Sequence, residues 1–342
     1  MNSDQQIGDS SSTEISLADI DGDGDIDAFV SVTGKPLIWR NTGKGRFETE
    51  VIELEGAWQA VALDDLDGDG DVDAVLVSDN SPDVVLLNDS HGQFTDSGQR
   101  LNEESPVGNQ VSIADLNGDQ SPDLFFATMG HDQVWLNDGK GNFRSSGQVF
   151  PESRSSDVGL KDIDGDQRPD AVISTYGSNK VWRSLGDGRF EDTNQQLGVE
   201  ASSAVALGDI DGDGDIDAVF SNNSTTTDNV WTNNGEGVFT KLGALGDAAI
   251  SPDVALADVD NDNDLDVVTT NWANEDGSNP SSVCRLWLND GTGMFPESVA
   301  LGEHELNTSA VIIRDIDGDQ DKDIILVNWR NQPDRIFFNE LN

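Results

Sequence analysis

"DIDGDGDID", residues 19–27, places five carboxylates in nine residues with two glycines among them. Carboxylates about 4 Å apart repel by about 4 kcal/mol per pair at an effective dielectric of about 20. Such a loop calls for a cation among its side chains. The spacing returns at 65–73, 115–123, 162–170, 209–217, 258–266 and 315–323, and the first Asp of successive loops is separated by 46, 50, 47, 47, 49 and 57 residues. Seven copies at a nearly constant period make a repeat architecture the first reading of the chain.

Alternating aliphatic residues lead into each loop, as in Ile15, Leu17 and Ile20, or Val311, Ile313 and Ile316. Alternation of this kind reads as a strand. The residue three before the first Asp is small in six repeats (Ser16, Ala62, Ser112, Gly159, Ala206, Ala255) and Ile312 in the seventh, which suits a crowded hub. After the loop a continuous apolar run, "AFVSV" at 28–32 or "LFFAT" at 124–128, fits a strand covered on both faces. A third strand then meets a Gly-rich turn, as in "VWLNDGKGNF" (134–143) and "LWLNDGTGMF" (286–295), and the closing Phe leads into a fourth. Four strands per repeat, seven times, predict an all-β fold: one seven-bladed β-propeller domain over residues 1–342, with four-stranded antiparallel blades. The last repeat ends in "RIFFNELN" and lacks a fourth strand. Residues near Asn2 to Ile7 are expected to supply that outer strand and close the ring.

A hard dication with oxygen ligands is the simplest occupant of the loops. Side chains at positions 1, 3, 5 and 9 can converge while the carbonyl of position 7 adds a ligand, and flexible, high coordination favours Ca²⁺ over Mg²⁺. The expected metal residues are Asp19, Asp21, Asp23, Asp25 and Asp27; Asp65, Asp67, Asp69, Asp71 and Asp73; Asp115, Asn117, Asp119, Ser121 and Asp123; Asp162, Asp164, Asp166, Arg168 and Asp170; Asp209, Asp211, Asp213, Asp215 and Asp217; Asp258, Asp260, Asp262, Asp264 and Asp266; and Asp315, Asp317, Asp319, Asp321 and Asp323. Up to seven structural Ca²⁺ are implied. Gly or Asn at position 4 supplies the tight bend. Position 6 is Gly24, Gly70 or Gly214 in three loops and Gln120, Gln167, Asn263 or Gln320 in four, which are expected to bind with different strength. The third loop, with Asn117 and Ser121, carries the least charge and is the candidate for weakest occupancy. An EF-hand is excluded, because position 12 is Val30, Leu76, Phe126, Ile173, Phe220, Thr269 or Leu326 and not a bidentate Glu.

The formal net charge of -47 has the same origin, since the loops hold 32 of the 66 acidic residues. Nucleic acid and anionic membrane both reward the opposite sign and are not expected partners. No apolar stretch is long enough to insert in a membrane, and the first residues lack the basic and apolar regions of a secretory signal, so an export signal is expected outside this chain. Cys284 is alone and reads as a structural thiol.

With these motifs the chain resembles the FG-GAP/VCBS repeat family, the integrin α-subunit type of propeller. "DxDGDGxxD"-like loops followed by "NxGxGxF"-like turns carry the resemblance over essentially the whole sequence. It implies calcium loops that join first and second strands on one face of the disk, with the ions holding the fold. Members include adhesion-receptor propellers, fungal lectins and modules attached to lyases or phospholipases. The expected function is therefore a non-enzymatic recognition or adhesion module, extracellular or at the cell surface, where calcium is millimolar. A calcium-stabilised lectin is the first alternative, and a polysaccharide lyase or an accessory domain of one the second.

The partner, protein or glycan, is expected on the face opposite the calcium loops, built from the loops between second and third strands. Trp39, Trp135, Trp182, Trp231 and Trp287 share one third-strand position and read as blade packing. Trp58, Trp272 and Trp329 fall outside that pattern. Trp272 and Trp329 stand six residues after the last Asp of their loops, where other repeats have Thr33, Asp79, Met129, Tyr176 and Asn223, so they should meet at the rim of adjacent blades. Beside them lies the long segment 273–282. Candidate ligand-binding residues are thus Trp58, Tyr176, Trp272, Trp329 and Arg330, with Asn331 next to the last. For the lyase alternative, His131 and Tyr176 occupy corresponding loops and could act as base and acid; His91 and His304 complete the histidines.

Overall fold

The run that follows each acidic loop forms a strand with no wet face. Every residue of Asp73–Ser78, Asp123–Thr128, Asp170–Thr175, Asp217–Asn222 and Asp323–Asn328 is buried, as are the first six of Asp27–Gly34. Only a strand sandwiched between neighbouring sheets can bury both faces, which is why these runs are continuously apolar. The computed structural model describes residues 2–7, 11–103, 107–223, 226–272, 283–302 and 307–339, and among these it contains twenty-eight strands and no helix.

The first strands of the repeats, from Ser12–Ala18 to Thr308–Arg314, neighbour one another in chain order, and the last returns to the first. This is a β-propeller arrangement. Five sheets are separate and four-stranded. The first two repeats depart from the expected separate blades and share one eight-stranded sheet, because Thr33 and Gly34 pair with Ala57 and Gly56. Gly34 adopts a φ of 127° and a Cβ on Gly56 would lie 2.3 Å from the Trp58 ring, so the junction depends on residues without side chains.

The N-terminal strand Asn2–Ile7 pairs antiparallel with Asp334–Phe338, in the order expected of a clasp. Ile7 is buried in a cluster with Ile15, Val30, Trp39, Val327 and Ile336, so the two ends of the chain share one core. The sheets are also stitched at the loop face. Asn41, Asn88, Asn137, Asn233, Asn289 and Asn339 each donate Nδ2 to a position-2 carbonyl in the acidic loop of the preceding repeat around the ring (Ile316, Ile20, Leu66, Ile163, Ile210, Val259) at 2.7–2.9 Å. The Asn41 bond to Ile316 spans the ring closure.

Candidate functional site

Each acidic loop is wound by its own carboxylates. Asp19 accepts the N–H groups of Gly22 (2.8 Å) and Gly24 (3.1 Å), Asp21 accepts that of Asp23, and Asp23 that of Asp25. Position 6 is left-handed in every loop, and its φ falls into two classes. It is 94–95° at Gly24, Gly70 and Gly214, and 67–80° at Gln120, Gln167, Asn263 and Gln320. A side chain there draws the backbone back toward the left-handed helical basin that L-residues tolerate, near about 57°.

The carboxylate at position 9 is buried and anchored. Asp27 accepts the N–H of Ile20 at 3.1 Å and of Asn41 at 2.7 Å, and the same pair of bonds recurs at Asp73, Asp123, Asp170, Asp217, Asp266 and Asp323. Burial pushes these seven carboxyls up to about 6, against the pull of the two N–H donors and with help from the loop's other acids. Carboxylate oxygens come within 4.8 Å of one another in the sets Asp19/Asp21/Asp27, Asp65/Asp67/Asp73, Asp162/Asp164/Asp170, Asp209/Asp211/Asp217 and Asp258/Asp260/Asp262. Hard, convergent oxygen donors of this kind fit a divalent cation of the calcium type. In two loops a protein cation reaches position 3: Arg40 bonds Asp21 at 2.9 Å and Arg183 bonds Asp164 at 2.7 Å. Arg168 pairs with Asp166 at 3.6 Å, so at that position only its backbone carbonyl is a ligand candidate.

At the other end of the first strands lies a cavity of about 380 Å³. Every repeat contributes to its wall from the start of its first strand, through Glu14, Gln59, Gln110, Asp157, Ser203, Asp253 and Ser309. It therefore sits on the ring axis, opposite the acidic loops. In six repeats a register shift interrupts the pairing of first and second strands here, for example between Ser12 and Glu14 and between Ser155 and Asp157. Such a bulge re-aims a side chain. Asp157 accepts the N–H of Val158 (2.7 Å) and of Val205 in the next repeat (2.9 Å); Asp253 does the same with Val254 and Val311, both at 2.8 Å. Glu14 accepts the N–H of Ile15 and the Gln110 amide, 3.2 and 3.3 Å away. Burial raises all three carboxyls: Asp157 to about 6, Asp253 to about 7 with repulsion from Asp157, and Glu14 well above its ordinary value with repulsion from Asp253 and Asp157.

Trp272 and Trp329 line the mouth of this cavity and stack on each other. Their backbones are fixed alike, Trp272 N–H on Ile250 carbonyl at 3.0 Å and Trp329 N–H on Asn307 carbonyl at 2.8 Å, and Asp79, Met129, Tyr176 and Asn223 make the corresponding bond in their repeats. The rim is thus one register position repeated around the ring, and the juxtaposition expected from the sequence is present. The cavity continues into a recess of about 180 Å³ that Trp272 shares with Tyr176 and Asn223. The Arg330 guanidinium lies 5.4 Å from the Trp329 ring centroid.

Trp58 requires correction. It is 2% exposed within the core of the second repeat and offers no face to a ligand, because its indole packs over Gly56 and against Val61 and Leu76. His131 holds the Phe150 carbonyl with Nδ1 at 2.8 Å and is not among the residues that line the neighbouring pocket of about 350 Å³, which Tyr176 shares with Phe150, Trp182 and Lys180. Segment 273–282 and His304 lie outside the described residues. Cys284 is buried against Thr308, and burial raises its thiol. Glu14, Gln110, Asp157 and Asp253 escaped the sequence reading. The signal was there: five residues before each loop the repeats read Glu, Ala, Gln, Asp, Ala, Asp, Ala, a polar break in a column otherwise closed by Ala.

The FG-GAP-like repeat matches residues 19–76, 65–126, 115–160, 162–220 and 209–269, which together span more than half of the chain. No curated protein matches by sequence. Among solved structures, the chain is similar to an Agrocybe aegerita lectin described as recognising non-reducing terminal N-acetylglucosamine, with a TM-score of 0.58 at 18% identity, over 94% of this chain and 85% of that one. It is also similar to BBS1N, solved in complex with ARL6DN, with a TM-score of 0.66 at 11% identity, over 96% of this chain and 92% of that one. At these identities the likeness concerns the fold alone. With its repeats matched over 19–269 and its strands arranged as a propeller, the chain belongs to the FG-GAP-like repeat family.

Proposed function

We propose that this chain is a calcium-stabilised, non-enzymatic seven-bladed propeller of the cell surface or extracellular space that binds carbohydrate at the Trp272/Trp329 mouth of its axial cavity. The observation that carries the reading is the stacked indole pair set over a concave floor of carboxylates and amides. Concave sites with an apolar platform and a few convergent polar groups are the usual form of small-ligand sites, and a rigid indole supplies a large contact face with little entropy to lose. The lectin among the similar structures supports the same ligand class on the same fold. A count of seven blades follows if the eight-stranded sheet is taken as two quartets bridged by two residue pairs.

The acidic floor argues against acidic polysaccharides as ligands and against the lyase alternative, since a like-charged substrate meets three carboxyls on the cavity wall. Calcium is read as structural: the loops lie at the far end of the first strands from the cavity, and an ion there would relieve the repulsion among each loop's carboxylates. The test is a glycan array probed with the calcium-loaded chain, its folding verified by its melt. Specific binding to a glycan class supports the reading. Silence from folded protein contradicts it and turns attention to a protein partner.

A further inference from the structure

Resting on the calcium reading above, we propose that Arg40 and Arg183 set the calcium affinity of their own loops, and that the fourth acidic loop, rather than the third, is the weakest cation site of the ring. The two arginines occupy one register column, the third-strand residue that follows the aromatic position. In the other repeats that column holds Leu87, Leu136, Thr232, Leu288 and Phe338. It lies beside the loop because Trp39 pairs with Ala28 and Trp182 with Ala171, each the residue after the last Asp of its loop. A guanidinium there reaches position 3: Arg40 Nη1 lies 2.9 Å from Asp21 and Arg183 Nε 2.7 Å from Asp164. Arg40 is fixed further by Glu50 at 2.9 Å and by the carbonyls of His91 (3.3 Å) and Gly92 (3.1 Å) in the next repeat, where a Cβ on Gly92 would lie 2.4 Å from the guanidinium.

The affinity of an oxygen-ligand loop follows the charge its ligands carry, and a guanidinium keeps its charge throughout the working pH range. Loop four sets four carboxylates against two guanidiniums, since Arg168 at position 7 also reaches Asp166, at 3.6 Å. Loop three has three carboxylates, Asp115, Asp119 and Asp123, and none of them pairs with a Lys or Arg among the described residues. Loops two and five have five carboxylates each, with Leu87 and Thr232 at the column. Loops three and four have matching backbones: position 6 is Gln in both, at a φ of 70° and 67°, and position 1 accepts the position-4 N–H at 2.7 and 2.8 Å. Charge therefore decides between them. The arginines engage Oδ2 of Asp21 and Asp164, while Oδ1 of each stays with its loop, where it accepts the N–H of Asp23 or Asp166 at 3.3 Å. The guanidinium thus weakens the site without closing it.

The experiment takes the full chain, labelled with ¹⁵N-glycine, from calcium saturation downward through chelator buffers and follows Gly22, Gly68, Gly118, Gly165, Gly212 and Gly318 by NMR. Each of these glycines donates its N–H to the first Asp of its own loop, so its signal reads that loop. Gly165 is expected to leave the bound state first, at a free calcium about tenfold above the midpoints of Gly68 and Gly212 and also above that of Gly118. The Arg183 side chain is half exposed, and Arg183→Leu places there the residue that three other repeats carry. In that variant the Gly165 midpoint should fall by about threefold or more, whereas Arg183→Lys, which keeps the charge, should leave it within about twofold. Thr232→Arg should move Gly212 the other way. A Gly165 midpoint at or below that of Gly118, or one that Arg183→Leu leaves in place, overturns the proposal while the calcium reading stands. Six glycine signals indifferent to calcium overturn both.

Discussion

The indole rings of Trp272 and Trp329 lie 5.7 Å apart, centroid to centroid, and within 14° of parallel. They are 57 residues apart in sequence and meet because each occupies the same rim position of adjacent repeats. Offset stacking of this kind contributes about 0.5–1.5 kcal/mol beyond burial. Trp272→Ala should therefore lower stability by about 1–3 kcal/mol, as loss of a half-buried aromatic does, and should remove ligand binding. Trp58→Ala, a fully buried site, should cost about 3–5 kcal/mol and act on the melt first. Paired melts and binding isotherms separate the two.

Calcium removal should weaken the whole molecule. An ion that binds only the folded chain stabilises it by about 2.7 kcal/mol per site at a hundredfold excess over Kd, and the acidic sets recur around the ring. Adding a chelator should lower Tm steeply, and restoring calcium should recover it. An unchanged melt contradicts a structural metal.

The pH dependence has a defined sign. Burial raises Asp83, Asp228 and Asp334 to about 7 and Asp132, Asp157 and the position-9 acids to about 6. A carboxyl raised on folding binds its proton more tightly in the native state, so stability is fully present at low pH and is lost as pH rises from about 4 through about 7. In chelator, Tm should fall between pH 5 and pH 8. Calcium requires deprotonated ligands, so its addition should lift Tm more at pH 8 than at pH 5.

The left-handed loop position offers a test free of ligand. Gly70 sits at a φ of 95°, whereas Gln120 occupies the equivalent position at 70°. Gly70→Ala should cost about 1–2 kcal/mol, partly offset by a stiffer unfolded chain. The same loop should then bind calcium more weakly, as read by titration against the unaltered chain.

A chain lacking residues 1–8 should melt well below the full chain, since it loses the pairing with Asp334–Phe338 and the buried Ile7. Burying one such side chain is worth about 1.5–3 kcal/mol before any backbone bond is counted. Equal melting temperatures contradict the clasp.

Much of this was legible in sequence because it is periodic. The Asp register fixed the repeats, the apolar runs fixed the buried second strands, and the unmatched "RIFFNELN" pointed to Asn2–Ile7 as its missing neighbour. What was hidden depends on a single register column or on a local accident. Thr33 and Gly34 join two repeats through two pairs that no periodicity announces. Trp58 looked like a surface aromatic because it broke a pattern, but Gly56 leaves room for its ring inside. The axial acids were overlooked because Asp157 and Asp253 were surrounded by so many others. Only the alignment of first strands shows that they face one space.

The most direct test is a binding isotherm of the best array glycan to the calcium-loaded chain and to Trp272→Ala/Trp329→Ala, both shown folded by their melts. We predict a loss of at least a hundredfold in affinity for the double variant. Unchanged affinity would contradict the assignment of the site and return the stacked pair to a packing role.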